Sequence, residues 1–327
     1  MRPSALRQEL SGRLLDFVWS QWGQMGMLTS ASRQDEWAAD PEALLLLSLD
    51  LGREEPRLFE EVLDWLLVNQ RLISSQRLRN LSRDEEDRAL AGAATSWLAE
   101  WRTRTAAPTP QSDARAGAEP LFLDSAVEPR QLDPAFLEHG FLKAQVEPAR
   151  RSGHPDLKAP INFALRLRGL LGVGARAEVV RVLLTVDAPR MSLQAIAESS
   201  GYAKRNVYEA ASSLRDSGLA ISTTLGNELR FEVPPEPWLE LLGVRRLPVH
   251  VDWVQRFSAY RVLLRWLRDP ANESLSGYML ASEARAVLTR VAPDFRFAGD
   301  TVDEIGLAGE DFWPHFVSEV QRLLPAI

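Results

Sequence analysis

Lys204, Arg205 and Asn206 stand in a row, followed by Tyr208, Glu209 and Ser212. On a helix starting near Ala203 they lie on the side away from Val207, Ala210, Ala211 and Leu214, which recur at helical spacing. Lysine and arginine reach phosphates or the O6 and N7 of guanine, asparagine pairs with adenine through two hydrogen bonds, and tyrosine adds an apolar or hydroxyl contact. The major groove of DNA, about 12 Å wide, admits one helix. These residue types suit recognition of double-stranded DNA. Arg190, Ser192, Asn227 and Arg230 are the further candidate contacts around them.

The elements that must position this helix run from 174 to 233. Residues 175–186 carry Ala175, Val179, Val182, Leu183 and Val186 on one stripe, which suits a buried first helix. Ser192 can N-cap a second helix through Leu193, Ile196 and Ala197. Gly201 follows, where a sharp reversal between helices needs positive φ. The third helix spans about 203–217 and stops at Gly218. Residues 220–225 are β-prone, Gly226 and Asn227 signal a hairpin turn, and residues 229–233 alternate with period two.

The stretches Ser192-Leu193-Gln194-Ala195-Ile196-Ala197, Gly201-Tyr202-Ala203-Lys204-Arg205-Asn206-Val207-Tyr208 and Leu214-Arg215-Asp216-Ser217-Gly218-Leu219, with the hairpin after them, resemble the winged helix-turn-helix domain of bacterial MarR-like and ArsR-like regulators. The resemblance covers about 60 residues. It implies that the helix from Ala203 to Leu214 reads the major groove and that the hairpin touches the minor groove or backbone. Two positions depart from the pattern. Ala203 stands where Ser or Thr commonly precedes the basic residues. The wing tip, Gly226-Asn227-Glu228, lacks Lys and Arg, and Glu228 repels phosphate, so the wing is expected to add little affinity. Upstream, Arg150, Arg151, Arg166, Arg168, Arg176 and Arg181 either extend a basic face toward the DNA backbone or pair with acidic residues of the same chain.

No residue set nominates an enzyme. Gly172-Val173-Gly174-Ala175-Arg176-Ala177 mimics a dinucleotide fingerprint, but the residues before it read as helix where the motif needs a strand. His139, His154, His250 and His315 are scattered singly, without the spacing of a metal site. Neither G-x-S-x-G nor G-x-x-x-x-G-K-[ST] occurs. No cofactor and no metal is expected. The ten tryptophans are expected mainly as core anchors.

The rest of the chain reads as helical flanks. Residues 1–101 form an N-terminal helical domain, with helices over Leu10–Trp22 positions, 41–51 ending at Gly52, and 56–69. Residues 71–79 fit a strand or a helix, and the set also fits a degenerate second winged helix. Residues 102–120 have almost no bulky apolar side chain and read as a flexible linker. Residues 121–160 form an extended connecting segment with a short helix after Asp133-Pro134, residues 161–237 hold the winged helix-turn-helix domain, and residues 238–327 form a C-terminal helical domain. The expected fold is mainly α, a central winged helix-turn-helix with a small β-hairpin between helical domains.

The chain has 327 residues and a net charge of −7, which argues against non-selective coating of nucleic acid and requires any DNA-binding surface to be local. Cysteine is absent, which excludes disulfides, thiolate metal sites and a cysteine nucleophile. No leader pattern and no apolar run of about 20 residues appears, so a cytoplasmic protein without membrane contact is expected. The expectation is a DNA-binding transcriptional regulator, a homodimer on paired half-sites, with a protein partner accommodated by the helical flanks. The alternative is a protein-interaction scaffold, such as an antitoxin-like or defence-system component, whose winged helix binds a protein.

Overall fold

The computed structural model describes residues 1–29, 36–103, 117–124, 130–304 and 309–325. These residues hold fourteen α-helices and two small sheets, so the chain is mainly helical as expected. It divides into two compact units, Met1–Ser20 with Asp252–Ile327, and Gln21–Val251. The sequence drew 1–101 as one piece; residues 1–20 instead group with the C-terminal helices.

In the first of these units, helix α1 (Pro3–Gln24) contributes its residues up to Ser20, and α12 (Trp253–Arg268), α13 (Gly277–Phe297) and α14 (Phe312–Leu323) complete the bundle. Leu6, Leu10, Leu14 and Phe17 are buried at three- and four-residue spacing. Phe17 packs on Trp253, with ring centroids 5.1 Å apart. Trp313 Nε1 donates to the Met1 carbonyl at 2.7 Å, and Tyr260 donates to the Leu323 carbonyl at 2.5 Å. Asp252 and Ser276 cap α12 and α13 through the backbone N–H groups of Gln255 and Met279.

The unit Gln21–Val251 begins with a helical layer. α2 (Pro41–Leu51) is buried along its whole length, which explains why its leucine run shows no amphipathic period. Gly52 ends it with φ −64°, so positive φ is not the reason for glycine. A Cβ there would lie 2.8 Å from the Phe59 ring, and the glycine permits that close approach. α3 spans Pro56–Asn69. The ambiguous stretch 71–79 resolves into a 3-10 turn and α4 (Ser75–Leu81), capped by Ser74. After α5 (Glu85–Thr103), strands β1 (Glu119–Pro120) and β2 (Phe141–Leu142) form a two-residue parallel pair, with α6 (Pro134–Glu138) between them. Most of the linker expected at 102–120 lies outside the described residues.

The same unit continues with α7 (Phe163–Leu171), α8 (Ala175–Thr185), β3 (Met191–Ser192), α9 (Leu193–Ser200), α10 (Lys204–Asp216), β4 (Ile221–Leu225), β5 (Glu228–Glu232) and α11 (Pro235–Leu242). The three strands form an antiparallel sheet in the order β3-β5-β4. Val179, Val182, Ile196, Val207, Ala211, Leu214, Phe231 and Trp238 share one buried core. α7 precedes Gly172, so the G-x-G-x-x-G look-alike is a turn between two helices. No described helix is long and apolar enough to cross a membrane.

Candidate nucleic-acid interface

The order helix, helix, tight turn, helix, hairpin expected from the sequence is present in α8 to β5. Ser192 does what its position before α9 predicts: its Oγ accepts from the Ala195 N–H at 3.2 Å and caps the helix. Gly201 takes φ 71° and reverses the chain into α10. Val207, Ala210, Ala211 and Leu214 bury one side of α10. Lys204, Arg205, Tyr208 and Glu209 are exposed on the rest of it. Asn206 is half-buried and lines an open hollow with Gly172, Val173, Gly174 and Arg176. Ser212 departs from expectation, because its hydroxyl is buried without a hydrogen-bond partner and does not belong to the exposed side.

Most of the candidate arginines are paired with carboxylates. Arg205 pairs with Glu209 at 3.0 Å, Arg190 with Glu232 at 3.1 Å, Arg230 with Glu228 at 2.8 Å and Arg215 with Asp216 at 2.8 Å. Lys204 has no carboxylate within ion-pair distance among the described residues, and Asn227 is exposed at the hairpin tip. Ala203 offers no side-chain cap, which leaves the first N–H groups of α10 open to an anionic oxygen.

A buried ionic cluster holds the α9–α10 turn from behind. It contains three acids and three bases: Asp40, Glu42, Glu178, Arg77, Arg168 and Arg181, all buried. Arg77 donates to Asp40 at 2.5 and 2.6 Å, to Glu42 at 2.8 Å and to the Ser200 carbonyl at 2.6 Å. Arg168 forks onto Glu42 at 2.7 and 2.6 Å and reaches Glu178 at 2.7 Å. Arg181 donates to Glu178 at 2.7 Å and lies 3.5 Å from Asp40. Asn80 Nδ2 donates to the Gly201 carbonyl at 3.1 Å, and the Tyr202 hydroxyl meets Ser74 at 2.9 Å. α4 therefore braces the residues that aim α10.

Burial pushes the Asp40 and Glu178 carboxyls up, but Arg77 and Arg181 offset this for Asp40, and Arg181, Arg77 and Arg168 offset it for Glu178. Both stay below the ordinary carboxylate range. Burial likewise lowers the Arg77 and Arg168 guanidiniums, and their carboxylate partners raise them more. His250 sits beside the cluster. Burial, then the charge of Arg181, lower its pKa to about 4. The Thr185 hydroxyl donates to the Arg181 carbonyl at 2.8 Å, so the 3.2 Å contact with His250 places a proton on Nδ1.

For two of the upstream arginines the second alternative, pairing with acidic residues of the same chain, is the one present. Arg168 and Arg181 lie in this cluster, because three buried carboxylates need buried cations. Arg166 bonds the Leu242 carbonyl, and Arg150 bonds the Trp101 carbonyl. Arg176 stays exposed, 3.4 Å from the Ser213 hydroxyl. The cluster itself escaped sequence reading. Its one local signal is Asp40-Pro41-Glu42 set directly before an apolar helix. No group of three or more metal-ligating side chains occurs among the described residues. Comparison with family models, with curated proteins and with solved structures finds no match for this chain.

Proposed function

We propose that α8 to β5 is a winged helix-turn-helix similar to that of MarR-like and ArsR-like regulators. In this reading the chain binds double-stranded DNA through α10 as a cytoplasmic, homodimeric transcriptional regulator. The observation that carries it is the presentation of α10. Its N-terminal turn exposes Lys204, Arg205 and Tyr208 while the turn before it is fixed by Arg77, Asn80 and Ser74. A reading element needs such support from behind. The ion pair of Arg205, whose side chain is 88% exposed, contributes at most about 1 kcal/mol, so phosphate or guanine can displace Glu209. Asn206 lies in the same N-terminal turn of α10, Arg190 precedes β3, and Asn227 and Arg230 lie in the hairpin; Ser192 acts through the cap and Ser212 drops out.

Few unpaired cations imply few phosphate contacts and selectivity drawn from base edges. The test is the double variant Lys204→Ala/Arg205→Ala, measured by anisotropy on a duplex selected by the parent. Loss of a bidentate base contact costs about 1–3 kcal/mol, so affinity falls roughly tenfold or more. Parent-like affinity rejects α10 as the reading helix.

A second reading has its own observation. Arg190, Arg205, Arg215 and Arg230 each bond a carboxylate, and Glu228 stands at the hairpin tip. Such a face suits a protein partner as well as a nucleic acid, in the manner of an antitoxin-like or defence-system scaffold. A stoichiometric protein partner that co-purifies without DNA decides for it.

A further inference from the structure

β4 is an edge strand. It joins β5 through the two-residue turn Gly226-Asn227, with φ 61° at Gly226 as a type II′ turn asks of its first central residue. Such a turn makes Leu225 and Glu228 a hydrogen-bonded pair, and paired types alternate from there. Ile221, Thr223 and Leu225 therefore turn their N–H and C=O groups toward β5. Ser222 and Thr224 turn theirs to the open edge. The far side of β5 obeys the same alternation, with Phe231 opposite Met191 of β3.

Side chains alternate too. Ser222 and Thr224 share the face of buried Phe231, whereas Ile221, Thr223 and Leu225 share the solvent face with Glu228, Arg230 and Glu232. Ile221 is 47% exposed and Leu225 is 64% exposed. Natural edge strands are usually blunted by charge, proline or a bulge. β4 reads Ile-Ser-Thr-Thr-Leu and carries none of these. The charges of this sheet lie on the central strand, β5.

We propose that two copies of the chain pair antiparallel through β4, about a two-fold axis at Thr223, and merge their sheets into one. The occupant is a second copy because the strand complements itself. In the register centred on Thr223, the outward groups of Ser222 meet those of Thr224 from the other copy, which gives about four interchain hydrogen bonds. Ile221 lies opposite Leu225 of the other copy, so the four exposed apolar side chains form two cross-strand pairs on a common face, one on each side of the Thr223 pair. A slip by one residue moves them to opposite faces. The two-fold closes the assembly at a dimer. This interface depends on the homodimer part of the reading above and not on DNA binding.

The chain has no cysteine, so a single introduced thiol reports alone. Thr223→Cys places two thiols at the axis in a non-hydrogen-bonded pair, about 4.5 Å between Cα atoms, within disulfide reach. Leu225→Cys places them four residues out of register, about 13 Å apart along the strand. Mild oxidation without DNA is expected to yield a covalent dimer for Thr223→Cys and little for Leu225→Cys. Thr224→Pro removes an outward N–H and leaves the β5 ladder intact, so it is expected to sediment as a monomer. Equal cross-linking of the two cysteine variants, a monomeric parent, or a Thr224→Pro chain that stays dimeric overturns the proposal. Loss of DNA binding with the cross-link retained leaves this interface standing and rejects only the α10 reading.

Discussion

Replacing Arg77 with Met removes a wholly buried guanidinium while filling much of its space. Four bonds disappear: two to Asp40 at 2.5 and 2.6 Å, one to Glu42 at 2.8 Å and one to the Ser200 carbonyl at 2.6 Å. Glu42 keeps Arg168, but Asp40 keeps only Arg181 at 3.5 Å and the Ala43 N–H at 3.1 Å. The cluster passes from three acids and three bases to three acids and two bases, in surroundings that cannot hydrate the surplus charge. Breaking a buried pair from one side costs about 3–5 kcal/mol. With a urea m-value of about 2 kcal/mol per molar, the midpoint falls by about 2 M. Far-UV circular dichroism and tryptophan fluorescence read the transition at pH 7. Asp40→Asn keeps a capping oxygen and removes the surplus charge, so the double variant Arg77→Met/Asp40→Asn is expected to lose less than the sum of the single changes. A midpoint shift for Arg77→Met under about 0.3 M, or strict additivity in the double variant, refutes the claim that this cluster is a charge-balanced lock.

Other outcomes follow from single groups. His250, with its pKa lowered to about 4, takes its proton less readily when folded than when unfolded, so stability falls as pH drops from about 6.5 toward 4, by about 3 kcal/mol in full; His250→Gln flattens that part of the stability–pH curve, and an unchanged slope counts against the assignment. Asp133 behaves oppositely: burial raises its carboxyl to about 6, against the pull of Lys143, so its contribution is present below about pH 4 and is lost as pH rises through 6. Asp133→Asn keeps the cap onto Ala135 and Phe136 and is expected to raise stability at pH 8 more than at pH 4 in paired melts. Gly201→Ala meets a positive φ and a Cβ 2.7 Å from Leu81 Cδ2, so denaturant melts are expected to show a loss of about 2 kcal/mol or more; a neutral result contradicts the packing of α4 on the turn.

Local signals carried much of the fold. Pro41, Pro56 and Asn69 mark helix ends where the structure has them, and Gly226 with Asn227 marks the hairpin, because caps and turns depend on neighbouring residues. Distant pairings were not legible. Arg181 and Asp40 meet across 141 positions, and no periodicity links them. For that reason Arg168 and Arg181 read as possible surface cations and proved to be buried. Leu10, Leu14 and Phe17 announced a helix but not its partners, the C-terminal helices. On the candidate interface the exposure of Lys204, Arg205 and Tyr208 followed from helical phase, while the buried turn of Ser212 and the carboxylate partners of the arginines needed three-dimensional packing.

Selection from a pool of randomised duplexes, followed by methylation protection of the enriched sequence, probes the central claim most directly. Insertion of α10 into the major groove predicts enrichment of a short motif, protection of guanine N7 within it, and loss of both in Lys204→Ala/Arg205→Ala. Enrichment of nothing by the folded parent, or a footprint that the double variant reproduces, contradicts it.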